Sequence, residues 1–391
     1  MICSKLWTDT NINLKARQIK HCCKQTPHEL NHQDFALGGD MFEGYKRNKQ
    51  NKLTMLSGNL PEDCSACYDG MFRNAWNLWQ SDFQKNNPNL LHEDRTDFIE
   101  IDLGDQCDIA CTYCGSWNST AWKKEKGIKI VPNDSAWTDK VIDNLILRLN
   151  QIRDRNEVTH YARDEEYDPH VEIAMLGGEP TLMPQTYRIL DRILPHLKEC
   201  ERPVVSFSTN LNTGDKLMKR FLNTVERTHN NIEWRLGVSL ENTGTRAEIV
   251  RTGLRWEQFL KNLDIVQDVV DRIYFCNTHN YLSMPYFADF VNWCFDVMRM
   301  PYGTERSTWK FTNNAVTSGA LSVDYIDPDT VPWDTIYKTL QEYKVDKEVE
   351  EHIRNIHKRS GRAPDTIFRT GVQQLIKRDP RITEYFPHVK I

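Results

Sequence analysis

Apolar positions change their period along the chain, and the changes mark its elements. Between 96 and 315, short aliphatic and β-branched runs alternate with stretches whose apolar residues recur every three to four positions; the first pattern marks a strand and the second an amphipathic helix. The runs at 98–103, 171–176, 204–209, 234–240, 272–276 and 308–312 read as strands. A helix from about Ser119, an amphipathic run at 141–152 and helices at 187–197, 216–227, 256–269 and 286–298 connect them. Six such units in ~220 residues predict an α/β fold with a parallel sheet closed into a partial (β/α)6 barrel, short of the complete eightfold one. A charged stretch at 153–170 interrupts the alternation as a solvated insertion or helix extension.

The flanks lack this alternation. Residues 1–95 carry polar runs such as Arg47-Asn48-Lys49-Gln50-Asn51-Lys52 and one clear helix, in which Phe72, Trp76, Trp79 and Phe83 share a face and Asn87-Pro88 ends the run. Those aromatics read as ordinary core packing. Residues 319–391 are mostly polar and helical, with 333–358 the strongest candidate helix. The domain reading is therefore 1–95, a small module; 96–318, the partial barrel; and 319–391, a helical C-terminal extension.

Composition narrows the class. The chain has 391 residues, with 50 Lys+Arg against 55 Asp+Glu, a net charge of -5, 39% hydrophobic and 10% aromatic residues. That balance suits a globular protein and disfavours a nucleic-acid partner held by bulk charge. No run approaches the ~18 apolar residues of a membrane span, and the first residues lack a secretory pattern, so a cytoplasmic protein is expected. Eleven cysteines are then unexpected, since a reducing compartment disfavours disulfides and an odd number cannot fully pair. Metal or cluster ligation is the better explanation for most of them. Cys200, Cys276 and Cys294 stand apart, two of them directly beside aromatic residues, and read as buried small hydrophobes.

The chemistry concentrates after the first barrel strand. Cys107-Asp108-Ile109-Ala110-Cys111-Thr112-Tyr113-Cys114 sets three thiols in one loop, spaced C-x3-C-x2-C. Three soft thiolates suit an iron–sulfur cluster and leave one iron open for a further ligand; a zinc site completed from elsewhere is the competing reading. The loop lies at the carboxyl end of a strand, where α/β barrels carry their active sites. The second strand ends in Gly177-Gly178-Glu179-Pro180, where paired glycines permit close backbone approach and proline fixes the exit.

With Tyr113 just before the third cysteine, and the GGEP segment at the end of the second strand, the sequence resembles the radical SAM superfamily. The resemblance implies a [4Fe–4S] cluster on Cys107, Cys111 and Cys114, with S-adenosylmethionine chelating the fourth iron. One electron then cleaves the sulfonium to methionine and a 5′-deoxyadenosyl radical, which abstracts hydrogen from substrate. By the same resemblance Gly177, Gly178, Glu179 and Pro180 face the methionyl amino group. Ser208-Thr209-Asn210 ends the third strand as the family's "TN" segment does, and Ser239 stands where members often contact the ribose. Arg251 resembles the arginine used against the cofactor carboxylate. Read as residues alone, Ser208, Asn210 and Ser239 are also common turn formers, and Arg251 could be a surface ion pair.

Cys3, Cys22, Cys23, Cys64 and Cys67 remain, the last two a C-x2-C pair. Thiols gathered in a region with little core read as a metal-stapled module, with structural zinc and an iron–sulfur cluster as alternatives. The set is similar to the auxiliary-cluster domains of the SPASM and Twitch groups of radical SAM proteins, although it precedes the barrel. That similarity implies a second [4Fe–4S] cluster on Cys3, one of Cys22 and Cys23, Cys64 and Cys67. It also implies a peptide or protein substrate, with a small molecule such as a sugar or nucleotide derivative as the alternative, and an electron donor such as a flavodoxin or ferredoxin. From a different class, the alternative is a non-catalytic iron–sulfur or zinc-binding interaction protein with a degenerate barrel, against which the intact Cys107, Cys111, Cys114 and GGEP segment count.

Overall fold

The computed structural model describes residues 9–21, 25, 27–30, 41, 46–59, 61–62, 64, 98–154, 171–303, 308–317, 321–362 and 365–389. Its strands, in chain order, are β1 (Asp9–Asn13), β2 (Gln18–Lys20), β3 (His28–Glu29), β4 (Phe98–Asp102), β5 (Ala110–Cys111), β6 (Val171–Leu176), β7 (Pro203–Thr209), β8 (Glu233–Ser239), β9 (Arg251–Thr252), β10 (Arg272–His279) and β11 (Thr308–Ala315). Together with the helices between them they make a mixed α/β structure with a large, mostly parallel sheet. The expected helix at 72–83, most of the charged stretch at 153–170, and Cys3, Cys22, Cys23 and Cys67 lie outside the described residues.

Contacts divide the chain into two units, one of residues 1–104, 131–207 and 227–234, the other of residues 105–130, 208–226 and 235–391. In the first, β4 pairs in parallel with β6, and β6 with β7. Ile99, Ile101, Val171, Ile173, Met175 and Val205 are buried on these strands. Helices Ser135–Asp154 and Pro184–Leu197 bury Val141, Leu145, Leu149, Ile189, Leu190 and Ile193. The first of them starts earlier than its apolar run because Asp134 Oδ1 accepts from the N–H groups of Ala136 and Trp137.

One departure from the sequence pattern falls at the N-terminus. β1 pairs in parallel with β4, from Asp9 opposite Phe98 to Asn13 opposite Asp102, and β2 and β3 follow antiparallel. The absence of strand signals in residues 1–95 was misleading because β1 is Asp-Thr-Asn-Ile-Asn. Its burial is largely polar, through Asp9, Thr10 and Asn11, and Asn13 Nδ2 donates to Asp102 Oδ2 at 2.7 Å. Ladder bonds and a side-chain amide hold it where apolar alternation does not.

In the second unit β8, β10 and β11 run parallel, and the two-residue strands β5 and β9 form an antiparallel ribbon. The core is aromatic: Phe275 lies edge-on to Phe290 and to Trp309, and Trp309 to Phe311. The C-terminal helices are Trp333–Glu342, Lys347–Arg359, Thr366–Arg378 and Ile382–Tyr385. The expected single helix over 333–358 is two, because Lys344 takes φ 52, a left-handed conformation that ends the first.

Along β8 burial alternates strictly, with Trp234, Leu236 and Val238 inside and Arg235, Gly237 and Ser239 only half-buried. Ser239 stands beside Cys276 on β10, and Cys276 beside Thr312 on β11, with Thr312 Oγ1 3.2 Å from Cys276 Sγ. Cys200 and Cys294 are buried as expected, but Cys276 belongs to this half-buried polar row and not to the apolar core. The strand period placed it there: Phe275 and Asn277 take the covered side.

Candidate active site

The cysteine loop is held by side chains aimed at its backbone. Thr120 Oγ1 accepts from the Cys107 N–H at 3.1 Å and donates to the Cys107 carbonyl at 2.9 Å. Ser119 donates to the Ile109 carbonyl at 2.7 Å, and Trp122 Nε1 to the Cys111 carbonyl at 2.9 Å. All three come from the start of helix Thr120–Glu125, which Ser119 caps by accepting from the Trp122 N–H. The β5–β9 ribbon sets Cys111 opposite Arg251.

That pairing places a buried charge cluster behind Cys111. Arg251 forks onto Glu241, Nη2 to Oε2 at 2.6 Å and Nε to Oε1 at 3.1 Å, and both side chains are buried. Its Nη1 lies 3.8 Å from Cys111 Sγ, its guanidinium sits 5.6 Å from the centre of the Tyr113 ring, and Tyr113 donates to Glu241 Oε2 at 3.1 Å. Arg251 is thus a core residue and not a surface ion pair. Two of its nitrogens are already engaged by Glu241, which leaves Nη1 toward the sulfur. Burial pushes the Cys111 thiol up to about 12 despite the opposing pull of Arg251, and it also raises Tyr113 and Cys114.

A second set braces the loop at Cys107. Asn210 Nδ2 donates to Asp108 Oδ1 at 3.1 Å and lies 3.9 Å from Cys107 Sγ. Asn212 Nδ2 donates to Asp108 Oδ2 at 2.7 Å, and its Oδ1 accepts from the Arg255 N–H at 2.9 Å. Between the two asparagines Leu211 holds φ 51, costly for a branched residue, in a turn where Thr209 Oγ1 accepts from its N–H and Asn262 donates to its carbonyl. Ser208 and Ser239 are half-buried at their strand ends.

The GGEP turn is built against the end of β4. Gly177 takes φ 124, and a Cβ there would stand 2.6 Å from the Gly104 carbonyl oxygen. The Gly178 N–H donates to that same carbonyl at 2.7 Å. Chain approaches chain here, so the first glycine is required before any ligand is considered. Glu179 is fully buried and caps the short helix Pro180–Leu182, its Oε1 accepting from the Thr181 N–H at 3.1 Å and the Thr181 hydroxyl at 2.6 Å.

Cys64 is buried. Among the described residues no group of three or more His, Cys, Asp or Glu side chains is drawn together as a ready metal site. Neutral thiols have no mutual attraction to gather them; a metal does that while displacing their protons. The donor chemistry around the triplet nonetheless fits an iron–sulfur cluster: three thiols in one loop, an amide N–H donor near Cys107 and a guanidinium near Cys111.

Glu241, Asp108 and Asn212 were not singled out from the sequence. Glu241 stands two residues beyond β8, Asp108 sits inside the triplet and Asn212 is two residues after Asn210, so position near Ser239, Cys107 and Asn210 was their only signal.

The family model for the radical SAM superfamily matches residues 101–294, a span that contains the cysteine triplet, the GGEP turn and the Glu241–Arg251 pair. The chain therefore carries a radical SAM domain, and the protein is a radical SAM enzyme that uses a [4Fe–4S] cluster and S-adenosylmethionine. No curated protein matches the chain. No helix among the described residues is long and apolar enough to cross a membrane.

Proposed function

We propose that Cys107, Cys111 and Cys114 hold the cluster, and that Gly177, Gly178, Glu179, Pro180, Ser208, Asn210 and Ser239 line the cofactor site. The observation that carries this reading is the pair of N–H donors beside the sulfurs, Arg251 Nη1 at 3.8 Å from Cys111 Sγ and Asn210 Nδ2 at 3.9 Å from Cys107 Sγ. When bound, the cluster supplies the electron that splits S-adenosylmethionine into methionine and a 5′-deoxyadenosyl radical. The chain's own residues do the rest. Arg251 keeps a positive charge against the Cys111 sulfur, Glu241 keeps that arginine in place, and Asp108 ties the loop to the asparagines beyond β7. Tyr113 helps to hold the Glu241–Arg251 pair, its hydroxyl donating to the carboxylate and its ring lying beside the guanidinium. We assign Arg251 to the sulfur side of the site, since Glu241 already engages the guanidinium fork that a cofactor carboxylate would use.

The substrate we propose is a peptide or protein, from the similarity of the Cys3, Cys22/Cys23, Cys64 and Cys67 set to SPASM/Twitch auxiliary-cluster modules. In that reading residues 1–95 bind a second [4Fe–4S] cluster, the six parallel strands form a partial barrel, and a flavodoxin or ferredoxin in the cytoplasm delivers the electron. Anaerobic reconstitution with iron and sulfide analysis tests it. About eight irons per chain support two clusters, and about four support the catalytic one alone. Zinc at the N-terminal thiols would overturn the second cluster while leaving the first.

A further inference from the structure

The cysteine loop has one more anchor, and it comes from beyond the stretch that the family model matches. Helix Thr366–Arg378 is capped by Asp365, whose Oδ1 accepts from the Phe368 N–H at 2.8 Å, and it buries Phe368 and Val372. Phe368 packs edge-on to Tyr281 and tilted to Tyr325, so the first turn of the helix is anchored. Its last residue is Arg378, with a side chain only 15% exposed. The guanidinium stacks 4.0 Å from the centre of the Trp122 ring. Nε lies 2.8 Å from Glu125 Oε1, and Nη2 donates both to Glu125 Oε2 at 2.9 Å and to the Ala110 carbonyl at 3.0 Å.

Ala110 precedes Cys111, and the Cys111 carbonyl is the one that Trp122 Nε1 holds. The peptide groups on both sides of the Cys111 α-carbon are therefore gripped by one stacked pair, Arg378 on Trp122, while β9 holds the opposite edge. A planar guanidinium meets a carboxylate, a carbonyl and a ring face together, which an ammonium cannot do. We propose that Arg378 is a positioning residue for Cys111, so that the C-terminal helices act as a clamp on the cluster loop. The proposal rests on Cys111 as a cluster ligand only for its second measurement.

The first measurement is hydrogen exchange of the segment 107–121 in the full chain before any iron is added. Arg378→Gln is expected to speed exchange there at least about tenfold by local opening, with the far strands unchanged. The second is the midpoint potential of the reconstituted cluster, followed by electron paramagnetic resonance. Arg378→Gln removes a positive charge and should lower the midpoint; Arg378→Lys restores the potential but not the slow exchange. Arg354→Gln, in an exposed pair with Glu350, is the control and should change neither. Parent-like exchange in a folded Arg378→Gln protein overturns the proposal. If that variant does not fold, Glu125→Gln on the exposed side of the clamp decides: faster exchange at 107–121 supports the proposal, and unchanged exchange overturns it. A parent that binds no iron indicts the ligand assignment and leaves the exchange result standing.

Discussion

Glu241 takes the guanidinium of Arg251 in a fork, with Nη2 2.6 Å from Oε2 and Nε 3.1 Å from Oε1, and both side chains are shielded from water. A buried pair of this kind is more costly to halve than to remove, because the surviving charge loses its only compensation. Glu241→Gln should therefore destabilise the protein by about 3 kcal/mol in urea unfolding, and a Glu241→Gln/Arg251→Met double variant should regain part of that loss. The single variant should also loosen iron, since Arg251 would no longer be held beside Cys111. A loss under about 1 kcal/mol would mean the pair is not as shielded as described.

Gly177→Ala tests the close approach at the GGEP turn. Both the left-handed φ of 124 and the 2.6 Å clash with the Gly104 carbonyl argue against any side chain. Strain and clash together should cost about 2–4 kcal/mol, read as a lower melting temperature before any cofactor is added. Unchanged melting would show that the approach relaxes freely.

Asp108→Ala removes the carboxylate shared by Asn210 and Asn212, both nearly buried. The expected loss is about 1–3 kcal/mol, with iron uptake falling more steeply than global stability because the loop bearing Cys107 loses its tie. Equal iron content in variant and parent would argue that Asp108 is structural only.

Acid should weaken the second unit. His279 is buried with Nε2 2.7 Å from Asn313 Oδ1, its ring 5.5 Å from that of His352, and burial followed by repulsion from His352 lowers its pKa to about 3. His388 is lowered to about 4 and His352 is lowered too, both mainly by burial. A histidine whose folded pKa is depressed takes up a proton on unfolding. The stability it contributes is full above its unfolded pKa of about 6.5 and is lost as pH falls toward about 3. Unfolding free energy should fall between those limits by about 1.4 kcal/mol per pH unit for each proton taken up, and His279→Gln should flatten the slope. A pH-independent melting temperature in that window would contradict the burial of these rings.

Strands β4, β6, β7, β8 and β10 were legible because each is a short run rich in apolar residues with helical periodicity after it, and the change of period separates strand from helix. Candidate chemistry stands out in the sequence where it is contiguous: Cys107, Cys111 and Cys114 lie within eight consecutive residues and the GGEP turn in four. Partnerships made in space were not. Glu241 meets Arg251 and Tyr113 only when β8 and the β5–β9 ribbon come together, and Arg378 reaches Ala110 from a helix whose sequence looks like any polar helix. The polarity of Asp9–Asn13 hid β1 for the same reason, since its stability comes from pairing with β4 and not from apolar alternation. Arg251 illustrates the limit most clearly: the family resemblance marked it, but only the packing around it separates a buried charge from a surface one.

The most direct test of the account is the cleavage reaction itself. Protein reconstituted anaerobically with iron and sulfide, then given dithionite and S-adenosylmethionine, should form 5′-deoxyadenosine, and Cys111→Ala should form none. Iron-loaded parent protein that yields no 5′-deoxyadenosine, or a Cys111→Ala variant as active as the parent, would contradict it.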